Sequence, residues 1–484
     1  MTAAAHKLGI RETLEGFFMG DIYPAVICFL VAVGSIFEIE LYLAAPHILL
    51  AVTALFISKS VKPVIVSIMT FVMHISVGHS PYYPSYSDYF FTGWRIWPVI
   101  AMAIAAVTGF CVFIFKNRIF QKISYKNTPF ILPAIPLFFA FLLNGVFSEK
   151  WVPGDFLFGL LNAFIFCILP IILYHGFSDS EDSASIAKYF SYISMLTALV
   201  IIAELTALFL TNGEIFEGGS INKVEVALGW GIWNLVGITL SLLVPLIFYG
   251  VHKSRYPWLY FSVATLAYIF AVLTMSRNAL LFGGIGYVSC IIISCFKGEL
   301  RYIFRKILLL GAVLSAFLLF AFKGEIYILL NDYFERGFSD NGRFALWRAA
   351  FKSFSDAPVF GSGFYGLSVD DSLLYPFGPL AKQAHNTVLQ LLSATGLVGI
   401  SAYAYYRIYT LRAIFSRPTT EVIFMGTSIG VLLLGSLVDN FIFNIYPMHF
   451  YTVALVIIFK AQREVSKVDK SAPKHAKKEK KKKT

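Results

Sequence analysis

Arg277 stands in the stretch AVLTMSRNALLFGGIGYV with no polar linker around it. A charge between two apolar stretches is costly unless it pairs or snorkels, so an arginine placed there is read first as functional. Its guanidinium offers a planar fork of donors suited to bidentate binding of phosphate. His385 closes the chain's one long polar interruption, roughly Lys323 to Ala384, with Gln383 before it and Asn386 after it. A histidine ordinarily titrates near neutrality and suits proton transfer. The same His-Asn pair also reads as a helix entry, in which Asn386 or Thr387 caps the first turn. Lys223, just ahead of EVALGWGIWNLVG, is a further cation that either faces a phosphate or is simply solvated.

Within the polar interruption, NGRFALWRAAFKSF reads as a helix entered through Asn341-Gly342. Phe344, Trp347, Phe351 and Phe354 fall on one side at helical spacing, which predicts a helix lying on a membrane surface. Arg343 and Arg348 flank that face, and with Trp347 they are candidates for contact with phosphate or sugar. The following APVFGSGFYG predicts tight turns, since glycine permits positive φ and close backbone approach. Asp370-Asp371 is an isolated acidic pair, so no metal site and no cofactor is expected, and no Gly-rich nucleotide loop follows a strand.

These residues must be positioned by a membrane fold. Of the 484 residues 58% are hydrophobic and only 14% charged, against about 25% charged in soluble domains. Apolar runs recur from Ile22 to about Phe459, each long enough to cross a hydrocarbon core as a helix. The expectation is an all-α polytopic membrane protein with about 12-14 spans, at 22-37, 41-57, 61-77, 96-115, 129-146, 152-174, 187-210, 229-250, 257-275, 278-296, 304-322, 385-405, 421-441 and 446-460.

Lys and Arg concentrate in alternate loops, SKSVK, KNRIFQKISYKNT, VHKSRYP, KGELRYIFRK and YRIYTLRAIFSRP, with HGFSDSEDSAS the exception. By the positive-inside rule those loops and both termini are cytoplasmic. This predicts a cytoplasmic interfacial segment over 1-20, spans over 21-322, a large extracytoplasmic loop over 323-384, the last three spans over 385-460 and a basic cytoplasmic tail over 461-484.

Leu8, Ile10, Leu14, Phe17 and Phe18 are the lipid contacts expected of the N-terminal segment, which carries no cleavable signal. The net charge of +11 follows largely from this distribution and from the lysine tail. It predicts proximity to anionic membrane lipids and no nucleic-acid partner. Cys28, Cys111, Cys167, Cys290 and Cys295 all lie in apolar runs, without disulfide or zinc spacing. No internal repeat is visible.

Three stretches together, SRNALLF, GRFALWRAAFKSFSDAPVFGSGFYG and AHNTVLQLLSATGLVG, resemble the O-antigen ligase and polymerase family of bacterial polytopic membrane proteins, from about Leu228 to Gly399. The resemblance implies that Arg277 is the family's membrane arginine and His385 its essential loop histidine. It also implies a second arginine near NKVEVALGWGIWN, where this chain has Lys223; Lys223, or Arg343 from the loop, is the substitute. The implied activity is metal-independent glycosyl transfer on the extracytoplasmic face of the bacterial inner membrane. The donor would be an undecaprenyl-pyrophosphate-linked glycan, and the acceptor a sugar hydroxyl of a glycan or lipid-glycan. A flippase for lipid-linked oligosaccharides and a protein O-oligosaccharyltransferase are the alternatives. A long external loop ending in a histidine favours the enzyme over an exporter, which alternates access through compact halves.

Overall fold

The computed structural model describes residues 2–75, 93–219, 221–223, 225–321, 323–324, 343–367 and 383–471. Asn341, Gly342, Asp370, Asp371 and the lysine-rich end of the tail lie outside the described residues. Among the described residues every long element is a helix, and the one isolated backbone bridge joins Leu228 and Gly231. A chain this apolar has few side-chain partners for its peptide groups, and a helix satisfies them within each segment.

The helices are α1 (Thr2–Met19), α2 (Ile22–Ile36), α3 (Glu40–Ile57), α4 (Val64–Thr70), α5 (Ile96–Lys116), α6 (Ile131–Leu142), α7 (Pro153–Gly176), α8 (Ser183–Thr211), α9 (Trp233–Lys253), α10 (Pro257–Leu273), α11 (Ala279–Phe296), α12 (Arg301–Ala321), α13 (Arg343–Asp356), α14 (Thr387–Ser416), α15 (Thr420–Gly435) and α16 (Ile445–Ser471). Each apolar run expected from the sequence is thus a helix or the greater part of one, and the chain is an all-α polytopic membrane protein. Seven of the helices are long and apolar enough to cross a membrane, or eight if the last residues of α1 and α2, bent by 65° at their junction, form one span. Four further apolar helices, the α4 segment, α6, α10 and α15, are shorter, and the expected twelve to fourteen spans would need all of them together with α12 and α16.

At the centre is α9, whose apolar window is 89% buried, packed against α8, α10, α11 and α15. By contrast α5 and α12 are peripheral: Trp97, Ile104 and Phe115 on the one, and Leu309, Phe317 and Phe320 on the other, are exposed apolar side chains of the kind that face lipid. The N-terminal segment departs from expectation. Phe18 is 2% exposed, edge-on to Tyr23 at 5.1 Å between centroids, so it is not a lipid contact, and Phe17 is half-buried against the same core. The sharp turn after Met19 folds them back on α2. Leu14 remains exposed, and the side chains of Leu8 and Ile10 lie outside the described residues.

A break in α14 and the turn that fills it position the site. Gly396 adopts φ 62°, ψ −159°, which breaks the helix and frees backbone groups. The glycine-rich turn fills the break: Ser362 N and Gly363 N donate to Ser393 O and Ala394 O at 2.8 and 3.0 Å, while Leu397 N and Val398 N donate to Pro358 O and Val359 O at 2.9 and 3.1 Å. Gly361 sits at φ 72° with the Ala394 backbone where a Cβ would be, so a side chain here is both strained and obstructed. Phe364 then anchors the turn among Phe141, Phe158 and Phe443, and Asp155 Oδ1 accepts from Tyr365 N at 2.7 Å. The polar interruption is therefore tied into the helical bundle at this point.

Candidate active site

Arg277 follows a turn that packs closely on α9. Gly237 faces Thr274, Ser276 and Ala279 so closely that a side chain there would collide with all three. Ser276 is buried, and its Oγ accepts from Ala279 N at 3.4 Å. Met275, two residues before Arg277, has φ 55°, a left-handed conformation that costs a non-glycine residue about 1–3 kcal/mol and persists only where its surroundings enforce it. Arg277 itself is half-buried.

His385 shares that strain, with φ 46°. It does not open α14 as expected but stands two residues ahead of it. Asn386 is the cap: its Oδ1 accepts from Val388 N and Leu389 N at 3.0 and 3.1 Å, and its Nδ2 donates to Leu437 O at 2.7 Å. The capping alternative raised by the sequence is thus realised in Asn386, and it aims the preceding histidine at the segment after α15.

There His385 Nδ1 lies 2.9 Å from Asp439 Oδ1, with side-chain exposures of 30% and 10%. Burial pushes the Asp439 carboxyl up. The hydrogen bond and charge of His385, the Asn440 N–H at 2.8 Å and the charge of Arg343 outweigh it, and the group is held below its ordinary value. An ionised Asp439 can only accept, so His385 Nδ1 is the donor in this contact. Asp439 was not among the sequence candidates. Its signal was an aspartate in GSLVDNFIF, at the mouth of a membrane helix, where a lone charge is as informative as Arg277.

Arg343, the first residue of α13, completes the cluster. Burial lowers its pKa, Asp439 raises it and Arg277 lowers it, with a net downward shift, so the guanidinium lies within electrostatic reach of both groups. Trp347, one turn on, donates from Nε1 to Ala384 O at 3.0 Å, which holds the backbone immediately before His385. The buried face of α13 is Leu346, Ala350 and Ser353, while Phe344 and Phe351 on the aromatic side are more than half exposed, free of the protein core as a helix lying on a membrane surface requires. Leu346 and Ala350 are smaller, and close packing against α14 selects them.

Arg348 points away from this packing, exposed, with Nε 3.4 Å from Phe344 O. Lys223 is exposed with its Nζ 5.9 Å from the centre of the Trp233 ring. The structure thus brings Arg277, Arg343, His385 and Asp439 together, uses Trp347 and Asn386 to hold the histidine segment, and puts Arg348 and Lys223 on exposed surface. Among the described residues no three His, Cys, Asp or Glu side chains are grouped to hold a metal ion.

Residues 240–404 match the O-antigen ligase family model. The chain is thus similar to the O-antigen ligase family over about a third of its length, a likeness that supports a membrane glycosyltransferase-like role in surface polysaccharide synthesis. Arg277, Arg343 and His385 fall inside the O-antigen ligase segment; Lys223 and Asp439 fall outside it. No curated protein matches the chain.

Proposed function

We propose that this protein transfers a glycan from an undecaprenyl-pyrophosphate-linked donor to a sugar hydroxyl of a glycan or lipid-glycan acceptor, without a metal, on the extracytoplasmic face of the bacterial inner membrane. The observation that carries the reading is the convergence of Arg277 and Arg343 with a His385–Asp439 pair on one end of the bundle. Two guanidiniums suit a pyrophosphate, which is planar-donor chemistry of the kind arginine serves best, and they stabilise the charge that develops as it departs.

His385 Nε2 takes the proton of the acceptor hydroxyl as its oxygen attacks the anomeric carbon. The C–O bond to the pyrophosphate breaks with its electron pair on the leaving oxygen, and configuration inverts. Asp439 orients the ring and stabilises the imidazolium that forms, as a buried carboxylate does for a catalytic histidine elsewhere. Arg343 is then the second cation that the family resemblance expected near Lys223. The sidedness rests on the lysine and arginine distribution of the loops.

The test is glycan transfer by the purified protein from a lipid-linked donor, against translocation of the same lipid in vesicles. Transfer that is lost in His385→Ala supports the reading. Translocation without transfer overturns it in favour of an exporter. Surface glycan of a deletion strain then separates the acceptors, since lone repeat units mark a lost polymerase and long unattached chains a lost ligase.

A further inference from the structure

The pair His385–Asp439 is assembled from two segments distant in sequence, one entering α14 and one leaving α15. One buried side chain touches both. Gln390, 3% exposed and one turn into α14, accepts on a single oxygen from Ala384 N at 2.7 Å and from Asn440 Nδ2 at 3.0 Å. Ala384 is the residue before His385, and Asn440 the residue after Asp439.

The Ala384 residue is held on its other side as well, by Trp347 Nε1 on its carbonyl. Thr387 N donating to Ser436 O at 3.0 Å, and Ser436 Oγ accepting from Ile442 N at 3.1 Å, fix the same two segments around it. His385 sits in a left-handed conformation that relaxes unless its neighbours are constrained. Any loss of that constraint rotates the imidazole away from Asp439, because φ of His385 swings the side chain directly.

We propose that Gln390 is the positioning residue of this site, setting the His385–Asp439 geometry through one carbonyl that ties the backbone before the histidine to the side chain after the aspartate. The inference rests on the transferase reading for its kinetic consequence, not for its geometry. Gln390→Met keeps the length and volume and removes the acceptor. Two measurements on the full-length protein in detergent decide it.

The first is the pH profile of His385 modification by diethyl pyrocarbonate, followed by mass spectrometry, which needs no substrate. In Gln390→Met the profile is expected to move in the same direction as in Asp439→Asn; a profile identical to wild type, in protein of wild-type thermal stability, overturns the proposal. The second is transfer kinetics: kcat is expected to fall at least about tenfold with KM changed less than about twofold, the pattern of an interaction that matters only in the transition state. Unchanged kcat overturns it too.

Should Gln390→Met fail to fold, Trp347→Phe removes the opposite hydrogen bond on Ala384 and is expected to move the same profile less far; no movement counts against the clamp. If the wild type transfers no glycan, the function proposed above fails, and the modification profile alone still decides the role of Gln390.

Discussion

Two polar clusters among the described residues, one partly open and one sealed, differ in what surrounds the charge. Around His385, one acid, Asp439, meets cations, the histidine is 30% exposed, and two residues, His385 and Met275, are held in left-handed conformations. The second cluster, between α2, α3 and α8, joins like with like. His74 Nε2 lies 3.0 Å from His47 Nδ1, with both rings nearly fully buried, and Glu40 lies within electrostatic reach of Glu204, also buried. Trp230 Nε1 donates to Glu204 Oε2 at 2.9 Å. An exposed, strained meeting of opposite charges is arranged to act on something that enters; a sealed set of like groups is arranged to hold helices together. The comparison supports placing the proposed chemistry at the first cluster.

The largest effects are expected where the comparison is broken outright. His385→Ala removes the proposed base and Arg277→Ala a pyrophosphate cation, and each is expected to lower transfer by about 10²–10⁴-fold while the protein remains in the membrane. Wild-type transfer in either variant removes that residue from the mechanism.

Asp439→Asn comes next, with a loss of about 10²-fold, since the amide can hold the ring in the wrong tautomer and lends no charge to the imidazolium. It carries a pH signature. The folded carboxyl is held below its ordinary value, so its contribution to stability is present above the unfolded pKa and disappears as pH falls through the lower folded one. Thermal unfolding of wild type and Asp439→Asn is expected to converge as pH drops from about 6 towards 3, where carboxylates titrate. A stability gap that widens on acidification contradicts the pairing.

A third substitution sharpens which cation faces the donor. Arg343→Ala is expected to reduce transfer by about ten- to a hundredfold, as removal of one charge-stabilising donor does. Lys223→Ala, on exposed surface over Trp233, is expected to change it by no more than about threefold, in the range of a surface charge. The reverse order of effects returns Lys223 to the site in place of Arg343.

The helices were legible because apolar runs bounded by charged loops leave little else possible in a membrane. Arg277 and His385 were legible for a related reason: each is polar where nothing local explains it. What hid Asp439 was distance, fifty-four residues after its partner with two helices between, and a sequence carries no record of which helix mouths meet. The other face of α13 was not legible, because spacing reports an apolar side but not which neighbour covers the opposite one: Leu346 and Ala350 are buried where α13 packs on α14, while Phe344 and Phe351 stay outside. Phe18 was misread through the 65° bend after Met19, which a periodicity cannot foresee.

The smallest expected effect is the one that tests the other half of the comparison. Glu204→Gln keeps the volume and leaves an amide oxygen to accept from Trp230 Nε1; transfer per folded molecule is expected within about threefold of wild type. Glu204→Leu removes that acceptor and strands a buried indole N–H, at a cost of about 1–3 kcal/mol, visible as a lower unfolding temperature with transfer per folded molecule intact. A Glu204→Gln protein that folds normally but has lost its transfer would put the sealed cluster into the chemistry, since the variant changes a proton and a charge while keeping the contact. Trp230, whose ring lies 4.7 Å from Tyr446, would be the route of that influence, because Tyr446 opens α16 directly after the segment that carries Asp439.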